Sequence, residues 1–411
     1  MKMAKPLAGL RVIDLTQAAS GPMCAAHFAA FGAEVLKIEV PGVGDSARRA
    51  GPYGGKNGVS RVETDPSDVA TYYLKRNRDK KGLNLNLKSP KGLAILYRMV
   101  EKSDIVLDNY RPGVTARLKV DFDNLKKIKP DIICCSITGF GHTGPYRSRA
   151  AYDTVVQAMS GAMEVTGFPG GRPTRAGFLA GDGTAPLFAT AAVLAALRHR
   201  DQTGEGQAID VSMLDCLASL VWDLPIDFMA SGGRPVRVGN QMGHVPGNVY
   251  PCSDGEVVII AGQQHQWKKM AALIGREDML ADPRFFNLDD RIAHSTLVDR
   301  AVQDWTEVRA RAEVIAACEA AGLACGPIQT MHDLLDDPHL KARGLVGPLP
   351  HPEHGVVPGA TATGYPVSFG TLDVGFHGSA PMQGQHTREV LSSLLGMSAA
   401  ELDELQNEKV I

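Results

Sequence analysis

The start of the chain constrains the fold most, because it places a strand, a helix and a second strand in close succession. Leu10–Leu15 is a short apolar segment, Met23–Phe31 fits a helix, and Ala33–Ile38 is a second apolar strand candidate. Two strands joined by a helix within about thirty residues predict a βαβ unit and hence a parallel sheet. The intervening turn, Ala18–Pro22, lacks the Gly-x-Gly-x-x-Gly pattern, so we predict a Rossmann-like shape without a NAD site.

The rest of the chain extends this pattern to two domains of the α/β class. Its 411 residues exceed what one hydrophobic core usually serves. The glycine-rich loop Gly232–Gly247 interrupts a long run of alternating strand and helix candidates and indicates a domain boundary. We therefore predict a large Rossmann-like parallel-sheet domain over 1–222, a linker over 223–247, a smaller α/β domain over 248–326, and a linker with a C-terminal segment over 327–411 that returns to the large domain.

Charge and cysteine usage narrow the class of protein. The net charge of −2 gives no bulk attraction to nucleic acid or to an anionic membrane. The seven cysteines form no Cys-x-x-Cys pair, which favours reduced thiols and argues against a disulfide framework or a metal site. No signal-peptide core is visible, and we expect no apolar run to reach transmembrane length. These features predict a cytoplasmic protein with neither nucleic acid nor membrane as a partner.

Asp182 is the strongest candidate for a reactive residue, because it lies between Gly181 and Gly183. It precedes Ala185–Leu197, a run of small and aliphatic residues that predicts a buried helix. An aspartate at this place is typical of an N-cap that accepts backbone N–H bonds. Flanking glycines also allow a second molecule to approach closely, as a nucleophilic carboxylate requires. The local sequence favours the cap and leaves both interpretations open.

Two further segments could bind an anion. The basic cluster Lys75–Lys81 is either a solvated turn or a phosphate site, and the sequence does not separate the two. Asn109–Gly113 and Thr138–Gly144 each follow a predicted strand, where α/β proteins place their ligands. The second of these loops can cradle an anion with backbone N–H groups or can simply be a mobile loop.

Several short motifs occur in a fixed order along almost the whole chain. They are Leu7–Asp14, Gly32–Glu39, Pro41–Asp45, Asn109–Gly113, Gly139–Pro145, Tyr152-Asp153 with Gln157–Gly161, Gly181–Gly183, Thr203–Gln207 and Asp210–Asp215. In this order and spacing the chain resembles the class III CoA-transferase family, which includes formyl-CoA and carnitine CoA-transferases.

The resemblance implies a function and a set of site residues. Asp182 matches the catalytic aspartate of the family, which forms an acyl anhydride and then an aspartyl-CoA thioester. The resemblance also implies an interlaced homodimer of ring-shaped protomers. Coenzyme A and its thioesters, with a small carboxylic acid, are then substrates, and no tightly bound cofactor is expected. The positions that match CoA-binding residues are Gln17, Ala18, Ala19, Lys80, Asn109, Arg117, Tyr152 and Asp153.

The sequence departs from the family pattern at two positions. Val40 stands where some relatives carry an arginine, so a phosphate contact is either missing or moved to Arg48 or Arg49. Ala19 stands where formyl-CoA transferase-like sequences carry glutamine, which weakens an assignment of formate or oxalate as substrate.

Two alternatives remain within reach of the sequence. The α-methylacyl-CoA racemases share the fold but use a histidine where this chain has Tyr152, and a phenol is a poor general base at neutral pH. A catalytically silent CoA-binding protein would need no carboxylate at position 182. Two smaller hypotheses are an oxyanion site at Gly239–Gly243 and a substrate-carboxylate contact at Arg175, which could equally be a surface salt bridge.

Overall fold

A computed structural model describes residues 4–233, 235–241 and 243–411, without the side chains of residues 223–225 and 228. In the first part of the chain the elements are β1 (Arg11–Asp14), α1 (Ser20–Ala30), β2 (Glu34–Glu39), β3 (Tyr53–Gly55), β4 (Gly58–Ser60), β5 (Val69–Ala70), α2 (Thr71–Arg76), β6 (Lys80–Asn84), α3 (Pro90–Val100), β7 (Ile105–Asp108), α4 (Val114–Leu118), α5 (Phe122–Leu125), β8 (Ile133–Thr138), α6 (Asp153–Met159), α7 (Ala162–Val165), α8 (Ala180–Thr203), β9 (Gln207–Ser212) and α9 (Met213–Val221).

The later elements are shorter on average. They are α10 (Asp223–Ala230), β10 (Gly247–Cys252), β11 (Gly255–Ile260), α11 (Gln264–Leu273), α12 (Leu288–Ala293), α13 (Ser295–Thr306), α14 (Arg311–Ala320), β12 (Ala324–Pro327), α15 (Met331–Asp336), α16 (Pro338–Ala342), β13 (Val346–His351), β14 (Gly355–Thr363), α17 (Thr387–Leu395) and α18 (Ala399–Asn407).

The chain divides into two compact units. The first comprises residues 1–162, 175–227 and 338–411, and the second comprises residues 163–174 and 228–337. The predicted small domain, 248–326, falls within the second unit, which holds the antiparallel sheet β10–β11–β12 and its own hydrophobic core around Trp267. Residues 163–174 also group with this unit, although they lie within the predicted large domain.

The first unit is built on a six-stranded sheet in the order β6-β2-β1-β7-β8-β9, and every neighbouring pair is parallel. From β1 the chain winds outward through β2 to β6, then returns to the other side through β7, β8 and β9. The order therefore reverses between β1 and β7, which creates the crevice where doubly wound sheets bind ligands. The predicted Rossmann-like parallel sheet is confirmed.

Helices cover both faces of this sheet, because its strands are apolar on both sides. One core packs α1, α8 and α9 against one face, and the other packs α3, α17 and α18 against the opposite face. The predicted C-terminal segment ends in two helices rather than one, because Gly396 has φ +68° and ends α17. Ser398 then caps α18 by accepting a hydrogen bond from the Glu401 N–H.

Helix α8 runs from Ala180 to Thr203 and is longer than the sequence suggested. By length and composition alone it is long and apolar enough to cross a membrane, so the expectation that no segment reaches that length is wrong. Half of its most apolar stretch is buried inside the fold, as in the core helix of a globular domain. Its early start at Ala180, before the predicted Ala185, places Asp182 inside the first helical turn.

Candidate active site

Two loops meet at the switch point of the large sheet and are joined by a pair of hydrogen bonds. The backbone N–H of Gln17, after β1, donates to Asn109 Oδ1 at 2.8 Å. Asn109 Nδ2, after β7, donates in return to the carbonyl of Gln17 at 2.7 Å. The side-chain amide of Asn109 thus holds the two loops together. Both residues were predicted to bind CoA, and the structure places them side by side at the crevice.

The loop after β1 turns sharply at Ala18, which has φ +65°. A left-handed alanine costs about 1 kcal/mol or more, so this conformation must be held by its surroundings. Its backbone N–H donates to Asp45 Oδ1 at 2.9 Å, and Lys37 Nζ pairs with Asp45 Oδ2 at 2.9 Å. Lys37 also donates to the carbonyl of Thr16. A buried ion pair therefore fixes the turn, after which Ser20 begins α1.

Asp182 is the third residue of α8 and is not its cap. The N-cap position is held by Leu179, whose side chain accepts no capping bond. The cap comes instead from Asp153 at the start of α6, whose Oδ1 accepts the N–H of Gly181 at 2.8 Å and that of Asp182 at 3.0 Å. The interpretation of Asp182 as an N-cap is therefore wrong, because a carboxylate from a neighbouring helix already satisfies these donors. The carboxylate of Asp182 remains available for chemistry.

The surroundings of Asp182 make its carboxylate more basic than usual. Burial, followed by the negative charge of Asp153, raises its pKa to about 6. The positive charge of Arg76 and hydrogen bonds from the hydroxyl and backbone N–H of Ser20 act in the opposite direction. No ion pair is formed by Asp182 in the part of the chain that the structure describes. A half-buried, unpaired carboxylate beside the N-terminus of α1 is a suitable nucleophile.

Asp182 opens onto a cavity of about 500 Å³. This space lies at the carboxyl ends of β1, β7 and β8, and the glycine loop after β8 contributes Gly139 and Phe140 to its wall. Tyr152 is 77% exposed and presents its phenol at the surface. Six of the nine predicted site residues line the cavity, namely Ala18, Ala19, Asn109, Tyr152, Asp153 and Asp182.

Sequence reasoning missed three basic residues of this cavity. Arg111, Arg147 and Arg149 all line it, and all three are exposed. The guanidinium of Arg149 lies 4.0 Å from the ring centroid of Tyr146. The signal was available, because Arg111 lies within the Asn109–Gly113 motif and the other two follow the glycine loop directly. Exposed guanidinium groups at the mouth of a cavity suit the phosphates of a nucleotide.

Lys80 does not fit its predicted role as a phosphate contact. Its side chain is fully buried, and its Nζ donates to Asp14 Oδ2 at 2.9 Å, to the carbonyl of Pro22 at 2.9 Å and to Asn77 Oδ1 at 2.8 Å. An ammonium group has three donors, so none is left for a phosphate. We correct the assignment: Lys80 holds α1 and the end of α2 to the sheet. Arg117 is exposed on α4 and lies outside the lining of the cavity.

Arg48 cannot replace the phosphate contact of the arginine that is missing at Val40. Arg48 forms a two-bond pair with Glu39, at 2.8 and 2.7 Å, and also donates to the hydroxyl of Tyr73. Its guanidinium is therefore committed inside the protein. Arg49 is exposed and donates to the carbonyl of Val43, so it is the one of the two that keeps free donors.

The two smaller hypotheses concern Arg175 and the Gly239–Gly243 segment. Arg175 is exposed and its Nη1 donates to the adjacent carbonyl of Ala176 at 3.0 Å. In the Gly239–Gly243 segment, Met242 lies outside the described residues, so the oxyanion hypothesis stays a prediction. Among the described residues, no three His, Cys, Asp or Glu side chains form a group that could hold a metal ion.

Comparison with known proteins gives a consistent result. The family model for CoA-transferase family III matches residues 7–387. A succinate–glutarate CoA-transferase of Agrobacterium fabrum is 33% identical over 392 residues, which are 95% of this chain and 96% of that protein. An acetyl-CoA:oxalate CoA-transferase of Acetobacter aceti is 36% identical over 83% of this chain and 85% of its own length.

Solved structures agree with the sequence comparison. A CAIB/BAIF family protein from Brucella suis superposes with a TM-score of 0.83 at 31% identity, covering 96% of this chain and all of that one. The protein Rv3272 from Mycobacterium tuberculosis superposes with a TM-score of 0.81 at 27% identity, covering 94% of this chain and 99% of that one.

Proposed function

The chain belongs to CoA-transferase family III and is a CoA-transferase; from that premise, we propose that it moves CoA between carboxylic acids through covalent intermediates on Asp182. Asp182 attacks the thioester carbonyl of an acyl-CoA, forms a mixed anhydride and releases the CoA thiolate. The thiolate then attacks the carbonyl of Asp182 itself, which gives an aspartyl-CoA thioester and releases the first acid. An acceptor carboxylate attacks this thioester and reverses the two steps, so that a new acyl-CoA leaves and Asp182 is regenerated.

The unpaired state of Asp182 is the observation that carries this proposal. Its helix cap is supplied by Asp153, so the carboxylate does not serve the fold. Burial and the Asp153 charge raise its pKa, which makes the carboxylate a better nucleophile while it stays ionised at neutral pH. Ser20 donates to it from the N-terminus of α1, which would fix its direction of attack.

The donor and acceptor follow from the named relatives rather than from the cavity. Curated relatives act on succinyl-CoA with citramalate or glutarate, as their names state. We therefore propose succinyl-CoA as a donor and a small carboxylic acid as the acceptor. The basic residues Arg111, Arg147 and Arg149 are proposed to meet the phosphates of CoA. A racemase remains the weaker candidate, because Tyr152 occupies the position of the racemase histidine.

The assembly is part of the same proposal. We propose a homodimer of interlaced rings, with the large domain over 1–222, the linker over 223–247, the small domain over 248–326 and the returning segment over 327–411. The support for it is the family resemblance. Light scattering across a dilution series should find the dimer mass throughout, and a folded monomer at low concentration would contradict interlacing.

The covalent steps are tested by labelling. Trypsin releases the peptide 176–198, in which Asp182 is the only acidic residue. Turnover of succinyl-CoA with an ¹⁸O-labelled acceptor acid should place ¹⁸O in this peptide, since each passage through the anhydride exchanges a carboxylate oxygen. Asp182→Asn should lower acyl exchange by about a thousandfold or more. Transfer at the wild-type rate by this variant, or turnover without label in the peptide, would rule the mechanism out.

A further inference from the structure

A second cavity of about 300 Å³ lies in the same unit, between α1, α2 and the segment after β14. It is lined from α1 by Met23 and His27, from α2 by Lys75 and Arg76, and from the third side by Tyr365 and Phe376, among others. Helix α1 begins at Ser20 beside Asp182, so this cavity opens less than one helical turn further along the same helix.

Arg76 connects this cavity with Asp182. Its guanidinium carbon lies 3.6 Å from the ring centroid of Tyr72, and Tyr72 lines the first cavity together with Asp182. The charges of Arg76 and Asp182 act on each other: the arginine opposes the rise in the pKa of Asp182, while the carboxylate opposes the lowering of the arginine pKa by burial. Arg76 therefore lines the second cavity and also interacts electrostatically with Asp182.

The guanidinium of Arg76 is incompletely bonded. Nη1 donates to the carbonyl of Tyr72 at 3.2 Å, but Nε is buried and has no acceptor. Within the described chain no carboxylate forms an ion pair with Arg76. Leaving a donor of a half-buried cation unsatisfied is unfavourable for the fold. Nη2 is neither buried nor bonded, so it is the donor that a carboxylate in the cavity can meet through a charge-assisted hydrogen bond.

The remaining wall of the cavity is uncharged, and hydrogen bonds fix its position. Burial lowers the pKa of His27 to about 4, so this side chain stays neutral, and its Nδ1 is 3.0 Å from the hydroxyl of Tyr365. Arg78, unlike Arg76, spends its donors on the backbone carbonyls of Thr363 and Phe376 and so anchors the segment after β14. The cavity thus offers apolar sides, a cation at one end and a second cation, Lys75, without a carboxylate partner among the described residues.

We propose that this cavity binds the far carboxylate of a short aliphatic dicarboxylic acid, with Arg76 as the clamp, while the near carboxyl group exchanges CoA at Asp182. The assignment rests on the proposed function and makes Arg76 a specificity-determining residue. It also replaces Arg175 as the candidate contact for a substrate carboxylate, since Arg175 is exposed and outside both cavities.

The test compares a dicarboxylate with a monocarboxylate of the same chain length. Kinetics with glutarate and with valerate as acceptors are measured for the wild type, Arg76→Gln and Arg76→Lys. Arg76→Gln should raise the KM for glutarate about 10- to 100-fold, as expected for loss of a charge-assisted pair, and leave the KM for valerate within about twofold. Arg76→Lys should recover part of the loss. If valerate turns over too slowly, its inhibition constant against the glutarate reaction replaces the KM.

The chain offers a matched control in the other unit. Arg309 lies over the ring of Trp305 and donates from Nη1 to the Trp305 carbonyl, which repeats the arrangement of Arg76 on Tyr72 four residues earlier. Arg309→Gln should leave both KM values unchanged. Urea unfolding should find Arg76→Gln and Arg309→Gln destabilised to a similar extent, because each loses the same ring contact and the same bond to a backbone carbonyl.

The outcomes separate this inference from the proposed function. Equal losses with both acids, or no loss with either, would overturn the assignment of Arg76. A loss of stability by Arg76→Gln well beyond that of Arg309→Gln would do so too, since it would mean a structural role. In each of these cases ¹⁸O labelling of peptide 176–198 in the wild type still reports on Asp182 independently. Selective loss with glutarate, partial recovery by lysine and a silent Arg309 control would establish the clamp.

Discussion

Two groups of buried charges lie close together at the edge of the same sheet, and they are built on opposite principles. In the first, which we call the paired network, Asp14, Lys37, Asp45 and Lys80 have fully buried side chains, and each carboxylate meets an ammonium group at 2.9 Å. In the second, Asp182 has a carboxylate neighbour and no ion-pair partner within the described residues.

The pKa values of the carboxylates express this difference. Burial alone would raise the pKa of Asp14, but the ammonium groups of Lys37 and Lys80 outweigh it, and the pKa is lowered. Burial would also raise the pKa of Asp45, but Lys37 and the backbone N–H of Ala18 outweigh it, and the pKa is lowered. At Asp182 burial and a like charge raise the pKa to about 6. Charge pairing therefore marks the residues that shape the loop, and its absence marks the residue that we propose to react.

The largest effect is expected from breaking the paired network. Lys80→Met leaves the Asp14 carboxylate without one partner and removes the ammonium donor from Pro22 O and Asn77 Oδ1. Removing one member of a buried pair typically costs about 3–5 kcal/mol of unfolding free energy. Urea unfolding measures this loss.

The adjacent residue supplies the control for that measurement. Lys81 forms only partly exposed pairs with Glu34 and Glu389, so Lys81→Met should cost no more than about 1 kcal/mol. If the two variants lost equal stability, the distinction between the paired network and ordinary surface pairs would fail.

Asp182→Asn should raise the free energy of unfolding, by less than Lys80→Met lowers it. The folded chain holds a proton on Asp182 more tightly than the unfolded chain, because the pKa rises from 3.8 to about 6. Stability therefore falls as pH rises from about 4 to about 6. Above that window the charge costs the fold about 3 kcal/mol, and Asp182→Asn should recover it. The gain should shrink towards zero as pH falls to 4, as measured by urea unfolding at a series of pH values.

The paired network should respond to pH in the other direction. Because the pKa values of Asp14 and Asp45 are lowered, their stabilisation is present above pH 3.8 and is lost as pH falls through the folded values. Asp182→Asn should leave that acid loss unchanged. Asp215 is an exposed aspartate at the same third position, in α9, so Asp215→Asn should give no gain at neutral pH. A gain at Asp182 that is constant from pH 4 to 7 would contradict the assignment.

The sequence predicted what depends on neighbouring residues. The βαβ unit at Leu10–Ile38 and the loop at Asn109 were placed correctly, because strand and helix periods are local patterns. Gln17 was implied by the family resemblance. Ligand sites at the carboxyl ends of parallel strands then follow from the handedness of the connections.

The sequence did not predict which charges would be paired. The cap of α8 comes from Asp153, 28 and 29 positions before its donors, and Lys80 meets Asp14 across 66 positions. Nothing in the basic cluster Lys75–Lys81 distinguishes Arg76, left with a free Nε, from Lys80, whose donors are all used. Such pairing depends on tertiary contacts, which a single sequence does not display.

The smallest expected effect is a shift of the pH profile of kcat/KM, which tests whether the charge of Asp153 raises the pKa of Asp182. Asp182 must be ionised to attack, so kcat/KM should rise with pH through an apparent pKa near 6. Asp153→Asn keeps an oxygen that can accept the N–H groups of Gly181 and Asp182, yet removes the negative charge that raises the pKa of Asp182. The rise should therefore move to lower pH, by about half a unit for one neighbouring charge that is partly screened. Asp121→Asn, which alters the capping aspartate of α5, should leave the profile in place. A profile that moves equally in both variants, or moves upward for Asp153→Asn, would mean that helix capping rather than charge sets the acidity of Asp182.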